Sequence, residues 1–148
     1  MTSSPSTGGP SLPASTGSST AQTRADAPIA TFGVVALDTP EPVRLAEFYC
    51  ALLGYQVVRN DDDWVSIKGA SGPEIAFQLA PDFVAPTWPD NAVPQQCHLD
   101  VDVPDLDAAE ERVLAIGARA TGEPRIPSSF RVYLDPSGHP FCLCLAGA

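Results

Sequence analysis

Apolar positions along this chain recur with two different periods, and the order of those periods repeats once. A short β-branched run over residues 32–38 predicts a strand. Thr39-Pro40-Glu41-Pro42 then reads as a helix start, with a Thr cap, an early Pro and an acid in the first turn. Val43, Ala46, Phe48-Tyr49 and Leu52-Leu53 follow at helical spacing, and Gly54 ends the run. Residues 55–59, 64–68 and 74–79 read as strands, separated by an Asn/Asp turn over 60–63 and a Gly/Ser/Pro turn over 69–73. The pattern restarts with a strand over 96–103. A helix over 104–116 carries Leu106, Ala109, Val113 and Ile116 on one face. Strands over 118–120, 130–134 and 141–145 complete it. Pro40 and Pro104, Gly54 and Gly117, and the Ser-Gly turns at 71–72 and 137–138 are each about 65 residues apart, the mark of one supersecondary unit used twice. Two β-α-β-β-β units of this kind bury their apolar faces on a shared core and leave a cleft between them.

Composition bounds the rest. Residues 1–27 are mostly Ser, Thr, Pro, Gly and Ala, with Leu12 the one large aliphatic side chain after Met1, so a disordered tail is expected there. It has neither the apolar core nor the basic start of a signal peptide. Residues 28–148 are then one domain, with units at about 29–80 and 95–146 and a Pro-rich linker over 81–94. A formal net charge of -10 argues against nucleic-acid and anionic-membrane partners, which need a basic face. Four cysteines without zinc-knuckle spacing, two of them alternating at 142 and 144, fit a reduced cytoplasmic protein.

Phe48-Tyr49 followed by Leu53-Gly54-Tyr55, and Asp135-Pro136-Ser137-Gly138-His139-Pro140, stand in the right order inside the repeat. On these marks the chain resembles the vicinal oxygen chelate superfamily over residues 29–145. Phe77-Gln78, Thr87-Trp88-Pro89 and Pro94-Gln95-Gln96 are similar to a glyoxalase-like subgroup. The superfamily includes glyoxalase I, extradiol dioxygenases and bleomycin-resistance proteins. The resemblance implies an α+β fold of two βαβββ units curled around a central cavity. It also implies metal ligands on the first and last strand of each unit. Those positions fall on Val34 and Ala76 in the first unit, with Gln78 a weak substitute two residues on, and on His98 and Cys142 in the second. Val and Ala cannot bind a metal. A catalytic zinc site takes three protein ligands and an iron site two His and a carboxylate, so neither a metal nor another cofactor is expected.

Gln96, His98, Asp100 and Asp102 alternate with Cys97, Leu99, Val101 and Val103, which gives one polar and one apolar strand face. The family geometry turns the polar face to the cavity. His98 is then the candidate general base, with Asp100 orienting it. Trp64, Gln78, Gln96, Arg131, Tyr133 and Cys142 are the candidate ligand-binding residues. Plainer alternatives are that Arg131 pairs with Asp100 or Asp102, that Cys142 and Cys144 are small buried residues, that Trp64 and Trp88 are packing, and that His139 is structural or exposed. The expected function is binding or sequestering, with or without transforming, a small organic ligand without the usual metal centre. The expected assembly is a homodimer. The alternatives are a metal-dependent lyase, isomerase or dioxygenase with His98 as ligand, and a structural or regulatory domain with no small ligand.

Overall fold

β-branched and aromatic runs form strands here wherever a partner strand continues alongside them, and the ends of that pairing set the ends of each element. A computed structural model describes residues 28–124 and 128–147; the expected tail over 1–27 lies outside the described residues. Residues 28–32 carry no helix or strand. The body that begins at Gly33 runs β1 (Val34–Thr39), α1 (Pro42–Leu53), β2 (Gln56–Asn60), β3 (Trp64–Lys68) and β4 (Glu74–Leu79). It continues as β5 (Leu99–Val103), α2 (Leu106–Ala115), β6 (Arg119–Ala120), β7 (Phe130–Leu134) and β8 (Pro140–Leu145). The first five elements build a sheet in the order β1-β4-β3-β2, the second five a sheet in the order β5-β8-β7-β6. In each sheet the first and last strands pair parallel and the other pairs are antiparallel. The α+β class and the two βαβββ halves are thus as expected, and the two sheets stay separate rather than closing on each other.

Element boundaries differ from the sequence reading where tertiary pairing decides. β1 runs on to Thr39, which pairs with Leu79. Thr39 therefore does not cap α1; the cap position is Glu41, without a side-chain bond, and Pro42 opens the helix, where a missing N–H costs nothing. α1 stops as expected at Gly54, whose φ of 70° is a left-handed conformation that favours glycine. α2 starts later than residue 104 because Asp105 caps it, accepting from the Ala108 N–H at 2.9 Å. β5 begins at Leu99, the first residue with a partner on β8, so Gln96, Cys97 and His98 lie just before the strand. Every residue of β2 is exposed, and its register slips at a bulge between Val57 and Arg59.

One face of each sheet is apolar and meets α1. Leu45, Ala46, Phe48 and Tyr49 of that helix pack with Val65, Ile67, Ile75 and Phe77 of the first sheet and with Tyr133, Phe141 and Leu143 of the second. Phe48 sets its ring edge-on to Tyr49 and to Phe141, and Tyr49 stacks on Phe77. α1 thus belongs to both halves, whereas α2 buries only Val113. Side chains of the opposite strand phase, including Ala76, Asp100 and Cys142, point away from this core.

A buried carboxylate ties the halves together. Asp135 sits in the turn between β7 and β8 and is fully inaccessible to solvent. Its Oδ1 accepts the backbone N–H groups of Ser137, Gly138 and His139 at 2.9, 2.9 and 3.0 Å. Its Oδ2 accepts the Tyr49 hydroxyl of α1 at 3.0 Å and lies 2.9 Å from His139 Nδ1. Ser137 adds a second tie through its hydroxyl, 2.7 Å from that of Thr39. Burial, and then the adjacent Asp135 charge, push the Tyr49 phenol well above its ordinary pKa, so it stays a donor.

Removing the Tyr49 donor deprives a buried carboxylate of one partner. Tyr49→Phe is expected to lower stability by about 1.5–3 kcal/mol in urea unfolding at neutral pH, and Asp135→Ala, which strands three backbone N–H groups, by more. A neutral Tyr49→Phe would show that the tie contributes nothing.

Candidate functional site

The polar alternation of residues 96–102 takes physical form on the second sheet, on the side away from the core. Asp100 of β5 is paired directly with Cys142 of β8, and Asp102 with Cys144 on the next rung. His98, two residues before Asp100, joins them. Its Nε2 lies 3.4 Å from Asp100 Oδ1, and the donor atoms of His98, Asp100 and Cys142 all lie within 4.8 Å of one another. The side chains of His98 and Asp100 are 45% and 59% exposed, so the fold does not use them as core. Cys142 is buried at the bottom of this group. Burial first, and then its hydrogen bond to Asp100, push the Cys142 thiol up to about 12, so it is a protonated donor at neutral pH. Burial and the charges of Asp100 and Asp102 also raise Cys144.

The structure does not bring the other candidates to this group in the way the sequence suggested. Arg131 and Tyr133 belong to the opposite face. Val132 is the residue of β7 that pairs with Cys142, while Tyr133 pairs with Phe141 and Arg131 with Leu143. Both therefore stand on the helix side. Arg131 donates to Asp107 at 2.6 Å and to Glu110 at 2.7 Å, and Tyr133 donates to Glu110 at 2.6 Å. The plainer alternative, in which Arg131 pairs with Asp100 or Asp102, does not hold either: its partners are on α2. The alternation alone left the phase of the strand open, and the β8 register decides it. These groups line a cavity of about 620 Å³ together with Gly122, Phe130 and Val132, but their own polar atoms are already partnered.

Trp64 and Gln78 pair with each other in the first sheet, on the same side as Ser66 and Ala76. Gln78 donates to the Asp63 carbonyl at 2.9 Å and so fastens the β2–β3 turn, and the Arg59 guanidinium stands 5.9 Å from the centre of the Trp64 ring. Gln96 is exposed before β5. In the first half the rung equivalent to Asp100 and Cys142 is Ala36 and Ala76, and the donor position before it is Val34. The superfamily's metal set, drawn from both halves, therefore does not fit these residues.

Two features were not read from the sequence. Glu110 has no motif around it; only the i,i+3 spacing to Asp107 on a helix hinted at a cation partner. The Tyr49–Asp135–His139 group was visible as motif residues, but its partners lie far apart in the chain. His139 is buried and structural, 2.9 Å from Asp135, with its ring 4.8 Å from that of Phe83.

Residues 34–144 match the family described as a glyoxalase-like domain. Among solved structures, a glyoxalase/bleomycin resistance protein/dioxygenase family enzyme from Burkholderia phytofirmans is similar at 18% identity and a TM-score of 0.57, covering 75% of this chain and 94% of its own. The bleomycin resistance determinant of transposon Tn5 is 18% identical with a TM-score of 0.53, covering 80% and 100%. Lactoylglutathione lyase from Agrobacterium tumefaciens is 18% identical with a TM-score of 0.55, covering 81% and 96%. At these identities the likeness is one of fold. No curated protein sequence matches the chain.

Glu110 generates a test of the helix-side cluster. Its hydrogen bond from Tyr133, and then that from Arg131, lower its pKa from the ordinary value of 4.5. A depressed carboxyl stabilises the fold above its unfolded pKa and loses that contribution as pH falls through the folded value. Glu110→Gln is therefore expected to be less stable than the parent at pH 7, with the difference narrowing at a pH below the ordinary carboxyl value of 4.5 as Glu110 protonates. Urea unfolding of both proteins at the two pH values checks it.

Proposed function

Because the chain belongs to the glyoxalase-like domain family, we propose that it binds a small organic molecule on the outer face of its second sheet, with His98 and Asp100 as the polar recognition groups. The observation that carries this reading is the convergence of His98, Asp100 and Cys142 on a face the fold leaves open. By contrast, Arg131, Tyr133 and Glu110 satisfy one another. An exposed imidazole beside a carboxylate can donate or accept a hydrogen bond, which suits sequestration, and can serve as a base, which suits acid/base chemistry. The family's two-half metal set is not available to this chain, since Val34 and Ala76 offer no donor.

The proposal extends to assembly and compartment. The sheet edges are uncovered in one chain, and a two-fold homodimer would cover them. All four cysteines are free, which fits a reducing cytoplasm. No helix among the described residues is long and apolar enough to cross a membrane.

A thermal-shift screen that includes bleomycin and S-lactoylglutathione, the ligands named by two structural relatives, tests the reading. For any compound that binds, His98→Ala is expected to weaken binding at least tenfold while changing stability by less than about 0.5 kcal/mol, as for an exposed position. Lost stability with unchanged binding would remove the site assignment. Light scattering is expected to give a dimer mass at micromolar concentration.

A further inference from the structure

The failure of the two-half metal set leaves a different donor set intact, built within the second half alone. We propose that His98 Nε2, Asp100 Oδ1 and Cys142 Sγ form a three-ligand site for a divalent ion of the zinc and cobalt class, with the fourth position open to solvent. This goes beyond the organic-ligand reading and does not depend on it.

The donor spacing supports the site. Two ligands of one tetrahedral zinc, each about 2.0–2.2 Å from the metal, stand about 3.3–3.5 Å apart. His98 Nε2 and Asp100 Oδ1 stand 3.4 Å apart, a long separation for a strong hydrogen bond but the right one for two ligands of one ion. The thiol lies within 4.8 Å of both. Asp100 and Cys142 are held opposite each other by direct strand pairing, so two of the three ligands stand on rigid backbone. His98 and Asp100 are exposed, which gives an ion access.

The chemistry of the set selects the metal. Metal binding displaces the Cys142 proton to solvent, and the resulting thiolate, with one imidazole and one carboxylate, favours zinc and cobalt over calcium or magnesium, which prefer oxygen-only shells. Asp102 on the next rung adds negative charge along the same face, and a chain of net charge -10 draws cations toward it. Three protein ligands with one open position is the arrangement of catalytic rather than closed structural zinc. The family's own set draws on both halves, whereas this one recruits Asp100 and leaves the first half out.

Cobalt is the probe, because thiolate-to-cobalt charge transfer absorbs in the near ultraviolet and tetrahedral cobalt absorbs in the visible. The full chain, freed of metal with a chelator, is titrated with Co²⁺ alone. The expected result is one equivalent bound with both bands, displaced by Zn²⁺. Cys142→Ser is expected to abolish the near-ultraviolet band, His98→Ala and Asp100→Asn to weaken binding at least tenfold, and Cys144→Ser to leave it unchanged. Circular dichroism confirms that each variant is folded. Should Cys142→Ser unfold, the two exposed positions decide. Weakening in both supports the site, and unchanged binding in both overturns it. Absence of the near-ultraviolet band in the parent, or its survival in a folded Cys142→Ser, also overturns it. No organic ligand enters the experiment, so failure here leaves the organic-ligand reading standing, and success does not establish that reading.

Discussion

The buried carboxylate of Asp135 is the constraint on which the two-half arrangement rests. An ionised group removed from water is costly unless its lone pairs are filled. Asp135 meets that demand with three backbone N–H groups of its own turn, the Tyr49 hydroxyl and the His139 ring. Four of those partners lie in the β7–β8 turn, and the fifth comes from α1 in the other half. The same carboxylate thus sets the entry of β8 and the seating of α1. Gly138 completes the turn at a φ of 96°, and a Cβ there would lie 2.8 Å from that of Ala85 in the segment that joins the halves. Turn, linker and helix are therefore mutually dependent.

That dependence also places the candidate site. β8 leaves the Asp135 turn and carries Phe141 and Leu143 into the core, so Cys142, one residue out of phase, emerges on the opposite face beside Asp100. The site is a by-product of register: the apolar phase of β8 is consumed by packing on α1, and the chemistry occupies what remains. The first half follows the same geometry with Ala36 and Ala76 at the matching rung. One scaffold is used twice and carries donors once.

Much of this architecture was legible in the sequence because it is written in local signals. Strand periodicity, the Gly54 stop and the repeated turns located ten elements in their right order. The boundaries that shifted did so where a distant partner decided. Thr39 is drawn into β1 by Leu79, and His98 falls before β5 because β8 supplies no partner for it. The His98–Asp100–Cys142 association was half visible, as an i,i+2 alternation plus a family position. Arg131 and Tyr133 were misplaced because strand alternation has two phases, and only pairing with β8 selects between them. Glu110, which satisfies both, stands on a helix whose sequence has no reason of its own to present an acceptor there.

The bulge in β2 bears on how this protein meets other copies of itself. β2 is one of the two edge strands of the first sheet, with every residue exposed and two valines, Val57 and Val58, facing solvent. A straight strand of that kind is a template for intermolecular pairing and fibril growth. The register slip between Val57 and Arg59 interrupts the regular ladder at that point and twists the free backbone groups out of line. The acids over residues 61–63 then crowd its far end with like charge. Irregularity at this edge is what lets two β-branched residues stand in water without drawing neighbouring chains into a growing sheet.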